Sequence, residues 1–461
     1  MTAGRVVIVG AGLTGPLLGM LLARHGYEVD IIEGRPDLRL GGERTLRSVN
    51  LTLSERGLRA LREVGLEQEV ITKLGQPLRA RAVHLASGAV NLLPYGHTGE
   101  QVLYAVSRAG LSSLLVDAAE KSHGVRFHFG VKCLEVDRTA PSVVGVETAT
   151  GRRRHFTGDL VVGADGTHSM VRRYVQHGAF ADLQMHYVPW RYKEIVIKGE
   201  LDPTVLHAWP RGDRMMFALP NVDGTFNGVC VLPAGEADGF DALDTPDRIR
   251  RCFDETFGDV SRLIPDLEEQ VRRSPVSAFP TMLTSQWYHG DTVVLVGDAC
   301  HSVVPFFGQG MNAGFEDCLE LSRCVAETPD RATAFATYQR RREPQSAILA
   351  KLSLDNFAEM RESGPQHRVA ARKYLLHWLY RRSGGRIVPI YTMIAHSAVP
   401  YMDCVARAER QDRLLRRCGA DIAVSLITMA AMVRRVWQRA WQGGRAERTA
   451  ARASRWSRVP L

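Results

Sequence analysis

The segment that most constrains the fold is a β–α–β unit with a glycine-rich turn at the start of the chain. An apolar strand leads into a G-x-G-x-x-G turn, leucines then recur at helical spacing, and a second apolar strand ends in Glu33. Such a turn brings the backbone close to a pyrophosphate at a helix N-terminus, and the acidic residue binds a ribose hydroxyl. The unit therefore predicts dinucleotide binding in an α/β fold, without distinguishing FAD from NAD(P). The residues assigned to this cofactor site are Gly10, Gly12, Leu13, Thr14, Gly15, Glu33 and Arg35.

Two later segments repeat the order of strand, turn and helix. In the first, 159–172, an apolar strand ends in a Gly-Ala-Asp-Gly turn that contains Asp165. In the second, 292–326, Asp298 follows an apolar strand, and a loop with one proline and several glycines leads to a helix. This arrangement offers a carboxylate for a sugar-type hydroxyl and free backbone N–H groups for an electron-rich group. Widely separated loops of this kind indicate one large cofactor that is held at both ends.

Composition restricts the class of protein further. At 461 residues, with 45% hydrophobic and 24% charged residues, the chain is globular and long enough for two or three substructures. Its eight cysteines form no C-x-x-C pair and its fifteen histidines show no metal-ligand spacing. We therefore expect no disulfide framework, no metal site and a reducing, cytoplasmic compartment. Neither a signal peptide nor a transmembrane anchor is expected, since the uncharged run 422–433 is too short to span a bilayer.

The net charge of +9 is concentrated at the C-terminus, where eight arginines stand against one glutamate from position 434 onward. We interpret this segment as a solvated basic tail; the alternative is weak contact with an anionic surface such as a membrane. No nucleic-acid-binding motif accompanies the tail, so no nucleic-acid partner is expected. The sequence carries no signal of oligomeric state.

The pattern of apolar residues predicts three regions. Segments 1–76, 106–184 and 286–350 alternate between strand-like and helical patterns and are assigned to a discontinuous Rossmann-like domain. Short strand-like runs separated by turn signals dominate 185–285, and together with 77–105 they predict an inserted antiparallel β-sheet domain. Residues 351–461 are predicted to form a helical C-terminal region that ends in the basic tail.

Together, the three strand–turn–helix motifs resemble those of the group A FAD-dependent aromatic hydroxylases. The resemblance implies the aromatic hydroxylase fold, FAD bound tightly and non-covalently, NADPH as a transient co-substrate, and O₂. It implies that Asp165 lies near the pyrophosphate and that Asp298 binds the ribityl chain. No dedicated catalytic side chain and no metal are implied, because a C4a-hydroperoxide of the flavin transfers the oxygen. The helix N-terminus beside the flavin, whose N–H groups would stabilise the reduced ring, is implied to comprise Gly308, Gly310, Met311 and Asn312.

Further stretches are similar to the kynurenine 3-monooxygenase family within this group. They occur in order along the chain and include 47–57, 93–96, 192–194, 209–212 and 304–312. The resemblance implies a small aromatic amino-acid substrate, L-kynurenine, which is converted to 3-hydroxykynurenine. It implies that Arg81 binds the substrate carboxylate, because the arginine fork suits a carboxylate. Tyr95, Asn356 and Tyr391 would assist it, Phe226, Pro305, Phe306 and Phe307 would line the ring pocket, and Arg47 and Arg108 would contact FAD.

Each assignment has an alternative. Arg81 follows Arg79 on one strand face and could be a surface cation, Tyr95 could anchor a turn, and the other aromatic residues could be packed core. For the whole chain, one alternative is a hydroxylase of a related anthranilate or quinolone in secondary metabolism rather than in tryptophan catabolism. Another is a non-catalytic FAD-binding redox protein. Leu46 stands where the family usually has glycine, and the C-terminal third diverges most.

Overall fold

The computed structural model describes residues 3–41, 50–96, 101–235, 237, 239–361 and 366–417. These residues form two compact units. The larger lies within Met1–Ser363 and Tyr391–Cys404, and the smaller lies within Gly364–Ile390 and Val405–Leu461.

A six-stranded sheet forms the centre of the larger unit. Its first strand, Gly4–Val9, is buried on both faces, which explains its continuous apolar run. All neighbouring strands are parallel except Tyr288–His289, which is antiparallel to the strand beside it. The strand order is Tyr288–His289, Val293–Leu295, Leu160–Gly163, Gly4–Val9, Tyr27–Glu33 and Val125–Phe129. The helices of this region are Thr14–Arg24, Glu55–Glu63, Glu67–Leu74, Arg108–Lys121, Met170–Gln176 and Gly310–Glu327.

An eight-stranded sheet is the second layer. It is antiparallel, as predicted, except where Val205–Arg211 pairs in parallel with Ala80–His84, a strand from a distant part of the chain. One of its faces packs against helices Pro246–Phe257 and Leu267–Arg273. The strand order is His301–Ser302, Ser277–Thr284, Leu183–Ile197, Phe226–Pro233, Arg214–Pro220, Val205–Arg211, Ala80–His84 and Val90–Pro94.

Two three-stranded antiparallel sheets complete the β-structure of the described residues. One comprises Val131–Asp137, Ser142–Glu147 and Arg153–Thr157, and the other comprises Asn50–Leu53, Leu103–Ser107 and Gln76–Leu78. The strand Leu103–Ser107 thus pairs outside the eight-stranded sheet, although 103–105 fall within the region predicted for it.

The remaining helices follow the last strand. In chain order, they are the long helix Arg331–Arg361, the helix Gln366–Arg382, the short helix Ile390–Ala395 and the helix Tyr401–Arg417. Within the smaller unit, the Arg372 guanidinium donates to Asp412 at 2.6 Å. In the described part of the chain, no helix combines the length and apolar character that a bilayer span requires, and no group of three or more His, Cys, Asp and Glu side chains could hold a metal ion. The basic tail lies outside the described residues.

Candidate functional site

The glycines of the first turn have distinct steric roles. Gly10 has a φ of 107°, and a Cβ there would lie 2.4 Å from the Ala164 carbonyl oxygen. A Cβ at Gly15 would lie 2.0 Å from the Gly10 carbonyl oxygen. By contrast, no protein atom lies within 4 Å of a Cβ built on Gly12. The loop is therefore closed where it packs on the sheet and open at Gly12, where a pyrophosphate can approach the backbone.

Glu33 fixes the other side of this loop. Its carboxylate accepts from the Ala11 N–H and the Arg35 N–H, both at 2.9 Å, and from the Arg35 side chain. Burial alone would raise the pKa of Glu33, but the hydrogen bonds from Arg35 and Ala11 hold the pKa below its ordinary value. The ionised carboxylate lies in a cleft that Ser112 and Phe129 also line. An acidic acceptor in a cleft beside the turn suits the ribose of the ADP half of FAD.

Leu13 and Thr14 begin the helix that follows the turn. The Thr14 side chain meets the third motif directly, since a Cβ on Gly297 would lie 2.9 Å from its Cγ2 atom. The first and third motifs, which are far apart in sequence, are therefore in contact.

The second motif is built around Asp165. Its carboxylate accepts from the Met170 N–H at 2.7 Å, the Val171 N–H at 3.2 Å and the Ser169 hydroxyl. Burial raises the pKa of Asp165 although these hydrogen bonds oppose the shift. The side chain thus binds the N-terminus of the helix Met170–Gln176, while its backbone lies against Gly10.

We name residues 297–312 the flavin block. Asp298 is partly buried, and within the described residues its carboxylate makes no hydrogen bond. Burial raises the pKa of Asp298, and the nearby Arg108 guanidinium opposes this shift. Arg108 itself is exposed, and its charge also acts on Tyr192 and Glu194. An acceptor and a cation thus lie near each other, as a hydroxylated and phosphorylated chain requires.

The end of the flavin block forms the start of a helix. Gly308 has a φ of 67°, and Gly310 begins the helix Gly310–Glu327, whose first turn has no side-chain cap. The Asn312 side chain is fully buried; it donates to the Thr52 and Gly308 carbonyls and accepts from the Ser54 N–H at 3.0 Å. This side chain therefore fixes the turn, and the backbone N–H groups of Gly310, Met311 and Asn312 remain to stabilise an anionic ring.

Three of the residues assigned to the substrate carboxylate lie together with Phe307. We name Arg81, Tyr95, Tyr391 and Phe307 the substrate cluster. The rings of Tyr95 and Tyr391 stack at a centroid distance of 5.4 Å, and Phe307 meets Tyr391 edge-on at 5.3 Å. Burial disfavours the charge on Arg81, but Tyr95, Tyr391 and Glu359 outweigh this effect and raise its pKa. Arg81 therefore carries a permanent positive charge between two tyrosines.

One donor of this guanidinium is left over. Arg81 Nε is buried and has no hydrogen-bond partner among the described residues. Burial raises the pKa of Tyr391 above its ordinary value, so its hydroxyl stays protonated and can donate. Glu359, which the sequence did not indicate, lies one helical turn after Asn356.

Asn356 holds the flavin block instead of joining the tyrosines directly. Its side-chain amide donates to the Phe306 carbonyl at 2.5 Å. The Phe306 ring stacks on Phe357 at 4.2 Å and is buried, whereas Pro305 is exposed. The turn at Pro305–Phe307 is thereby anchored to the helix Arg331–Arg361.

The structure does not bring Phe226 to this group. Phe226 packs with Trp209 and Phe253 on the face of the eight-stranded sheet that two helices cover. Phe306 packs with Met215 and Val229 on the opposite face. Arg47 and Leu46 lie outside the described residues.

The FAD binding domain family matches residues 4–353 of this chain. Kynurenine 3-monooxygenase of Salinispora tropica is 43% identical over 451 residues, which cover 94% of this chain and 97% of the relative. The Myxococcus xanthus protein of the same name is 36% identical over 402 residues, with 86% of both chains covered.

Solved structures show the same fold at low sequence identity. The structure of Klebsiella pneumoniae HpxO complexed with FAD and uric acid has a TM-score of 0.63 at 22% identity, and the match covers 83% of this chain and 95% of that chain. A structure of 2-methyl-3-hydroxypyridine-5-carboxylic acid oxygenase has a TM-score of 0.64 at 18% identity, with 78% of this chain and 93% of that chain covered.

Proposed function

Because the chain belongs to the kynurenine 3-monooxygenase family of FAD-binding proteins, we propose that its substrate is L-kynurenine, hydroxylated to 3-hydroxykynurenine. The protein is a flavoprotein monooxygenase that acts on an aromatic ring and uses FAD with NADPH and O₂. Bound FAD would accept the reducing equivalents of NADPH and would activate O₂.

The residues of the three motifs fit FAD. Gly12 leaves room for the pyrophosphate, and Glu33 offers an acceptor for the ribose beside an open cleft. Asp298 would accept from the ribityl chain, with Arg108 nearby, and the uncapped helix at Gly310 would stabilise negative charge on the ring. Within the described residues the Asp298 carboxylate makes no hydrogen bond, whereas the Asp165 and Asn312 side chains are used to fix the backbone.

One observation carries the choice of substrate. Arg81 Nε is a buried donor without an acceptor among the described residues, and such a donor is costly unless a ligand pairs with it. A carboxylate would accept from the guanidinium fork and from the Tyr391 hydroxyl at once. A neutral aromatic ring without a carboxylate would leave the cation unpaired.

Phe307 connects the proposed carboxylate end of the substrate site with the flavin block. This residue belongs to the flavin block and also touches Tyr391. A substrate held by its carboxylate at Arg81 would therefore extend its ring along Phe307 toward the flavin, which positions the ring for hydroxylation and keeps water away.

The test is substrate-dependent turnover of the purified protein. We expect a flavin absorption spectrum, NADPH oxidation that accelerates on addition of L-kynurenine, and a product one oxygen atom heavier. Anthranilate is the matched control: it has the ring amine and a carboxylate, but its carboxylate is bonded directly to the ring and it lacks the amino-acid side chain. Hydroxylation of anthranilate in preference to L-kynurenine would overturn the substrate assignment and leave the monooxygenase assignment intact.

We also propose a cytoplasmic location. Six cysteines in the described part of the chain are free thiols, as a reducing compartment would leave them: Cys133, Cys230, Cys252, Cys300, Cys318 and Cys324. Fractionation of the native cells, with the protein detected by antibody, tests this location.

A further inference from the structure

A buried network of polar and charged side chains connects His301 of the flavin block to residues outside the groups assigned to FAD and substrate. Arg56, Asp317 and His301 are at most 1% exposed, and Glu316 and Arg342 are 9% exposed. Two guanidinium groups face two carboxylates, so their charges balance. Buried ion pairs contribute little net stability, because desolvation offsets their attraction. The network is therefore better explained by the groups that it holds in place.

At one end, the network holds the flavin block. The Asp317 carboxylate accepts from His301 Nε2 at 2.6 Å, from Arg342 Nε at 2.7 Å and from the Gly297 N–H at 3.3 Å. Gly297 has a φ of 64° and directly precedes Asp298. The position of Asp317 thus sets the turn that presents the Asp298 carboxylate.

At the other end, the network holds the helix that carries Tyr391. Arg56 donates through Nε to the Ile394 carbonyl at 2.9 Å and through Nη2 to the Val399 carbonyl. Ile394 lies in the last turn of the helix Ile390–Ala395, where carbonyl groups have no partner within the helix. An arginine there satisfies them and complements the negative helix end.

Glu316 joins the two ends. Its carboxylate accepts from Arg56 Nη1 at 2.8 Å and from Arg342 Nη1 at 3.3 Å, and Arg342 in turn binds Asp317. We propose that Arg56 is a positioning residue that transmits occupancy of the substrate cluster to the flavin block. The inference rests on the proposed function, because it takes the substrate cluster as the carboxylate site.

The physical basis is the rigidity of both connections. A carboxylate that bound Arg81 and Tyr391 would fix the helix Ile390–Ala395, whose carbonyl Arg56 already holds. Because Arg56 makes three hydrogen bonds in a planar fork, a shift of this helix would change its contact with Glu316. The change would reach the Gly297 N–H through Arg342 and Asp317.

The test uses three variants of the holoenzyme. Arg56→Met removes the donors and keeps much of the apolar length of the side chain, and Glu316→Gln keeps its shape and removes its charge. Tyr401→Phe is the matched control: the Tyr401 ring lies 4.0 Å from the Arg56 guanidinium carbon, and its hydroxyl has no hydrogen-bond partner among the described residues. Stopped-flow measurement gives the rate of flavin reduction by NADPH with and without L-kynurenine, and titration gives the substrate Kd and the change in the flavin spectrum.

We expect Arg56→Met to retain FAD and to bind L-kynurenine within about threefold of the wild-type Kd, while the acceleration of flavin reduction falls about tenfold and the spectral change disappears. Glu316→Gln should show a smaller loss in the same direction, and Tyr401→Phe should match the wild type. Full acceleration in Arg56→Met or in Glu316→Gln would overturn the proposal. Failure of both variants to yield folded holoenzyme would assign the network to stability alone and overturn it equally.

A second readout separates this proposal from the substrate assignment. If L-kynurenine does not accelerate reduction in the wild type, the proposed substrate is wrong. Hydrogen–deuterium exchange of the oxidised and dithionite-reduced holoenzyme then tests the coupling without substrate. In the wild type, reduction should change exchange in both the flavin block and residues 390–399; in Arg56→Met, it should change exchange in the flavin block alone. Equal changes in both proteins would contradict the role of Arg56.

Discussion

Replacement of Arg81 by methionine tests the carboxylate site most directly. Arg81 is positively charged between Tyr95 and Tyr391, and its Nε has no acceptor in the described part of the chain. Removal of one partner from a buried, hydrogen-bonded charge pair costs about 2–5 kcal/mol. Because this two-point contact stays partly accessible to water, we expect Arg81→Met to lose about 3–4 kcal/mol of transition-state stabilisation. This loss corresponds to a decrease of roughly 150- to 900-fold in kcat/KM.

The assay compares two substrates in two proteins. One is L-kynurenine, and the other is the amine analogue that lacks its carboxylate. The wild type should lose kcat/KM on the analogue by about the factor that Arg81→Met loses on L-kynurenine, since either change removes the same contact. Arg81→Met should hardly distinguish the two substrates. Product must be quantified by mass, because NADPH oxidation alone also counts uncoupled turnover.

Arg79→Met is the matched control for this experiment. Arg79 is exposed and lies two residues earlier in the chain, so its loss removes a surface cation without a buried contact. We expect its kcat/KM to stay within about twofold of the wild type. A loss below about fivefold in Arg81→Met, or an equal loss on both substrates, would refute the reasoning, because removing one partner of a buried charge pair leaves the other charge unpaired and costs more than this.

Three further changes test the cofactor site and the sheet. Gly12→Val fills the open side of the turn, so the purified protein should fold, as judged by circular dichroism, but lack flavin absorbance. Gly15→Ala places a Cβ 2.0 Å from the Gly10 carbonyl and should lower the free energy of unfolding by about 1–3 kcal/mol in urea titrations; a neutral effect would contradict the loop geometry. Burial and His207 lower the pKa of His84 to about 4 from 6.5, so only the unfolded state takes up a proton between these values. Stability should therefore fall as pH drops from 6.5 to 4, by roughly 1–2 kcal/mol once solvent screening of this half-buried side chain is included. His84→Phe, which can still stack on Trp209, should lack this part of the pH dependence.

Local pattern predicted the parts of the molecule that depend on neighbouring residues. The β–α–β unit from Gly4 to Glu33 and the turns at Asp165 and Asp298 could be predicted because each places a strand, a turn and a helix within a short stretch. The same holds for dinucleotide binding, since the roles of Gly10, Gly12 and Gly15 follow from backbone geometry alone. The choice of FAD over NAD(P) came instead from the resemblance of the three motifs to the aromatic hydroxylases. The gathering of Arg81, Tyr95 and Tyr391 could not be derived in this way, because the chain between them is long and only the family resemblance connected them.

Phe226 shows where a pattern is insufficient. Alternation along a strand assigns residues to two faces, but both faces of this sheet are buried at the strand Phe226–Pro233, so hydrophobicity does not reveal which face meets the substrate. Phe226 and Cys230 pack toward the helices, and Val229 and Val231 pack toward the flavin block. A residue of this strand that contacts the substrate should therefore lie on the same face of the sheet as Val229, and not on the face that carries Phe226.

Arg56 was missed for a related reason. An arginine in a short helix is usually solvated, and the four other charged residues of this helix, Glu55, Arg59, Arg62 and Glu63, are at least partly exposed. The available signal is helical spacing: Arg56 stands four residues before the buried Ala60, so it belongs to the apolar stripe of the helix. A charge in such a stripe must find partners, and here they come from the distant segments 313–317 and 394–399. Because these two segments adjoin the flavin block and Tyr391, Arg56 is buried at a place where it can fix the assigned cofactor site and the assigned substrate site relative to each other, which offsets the cost of its burial.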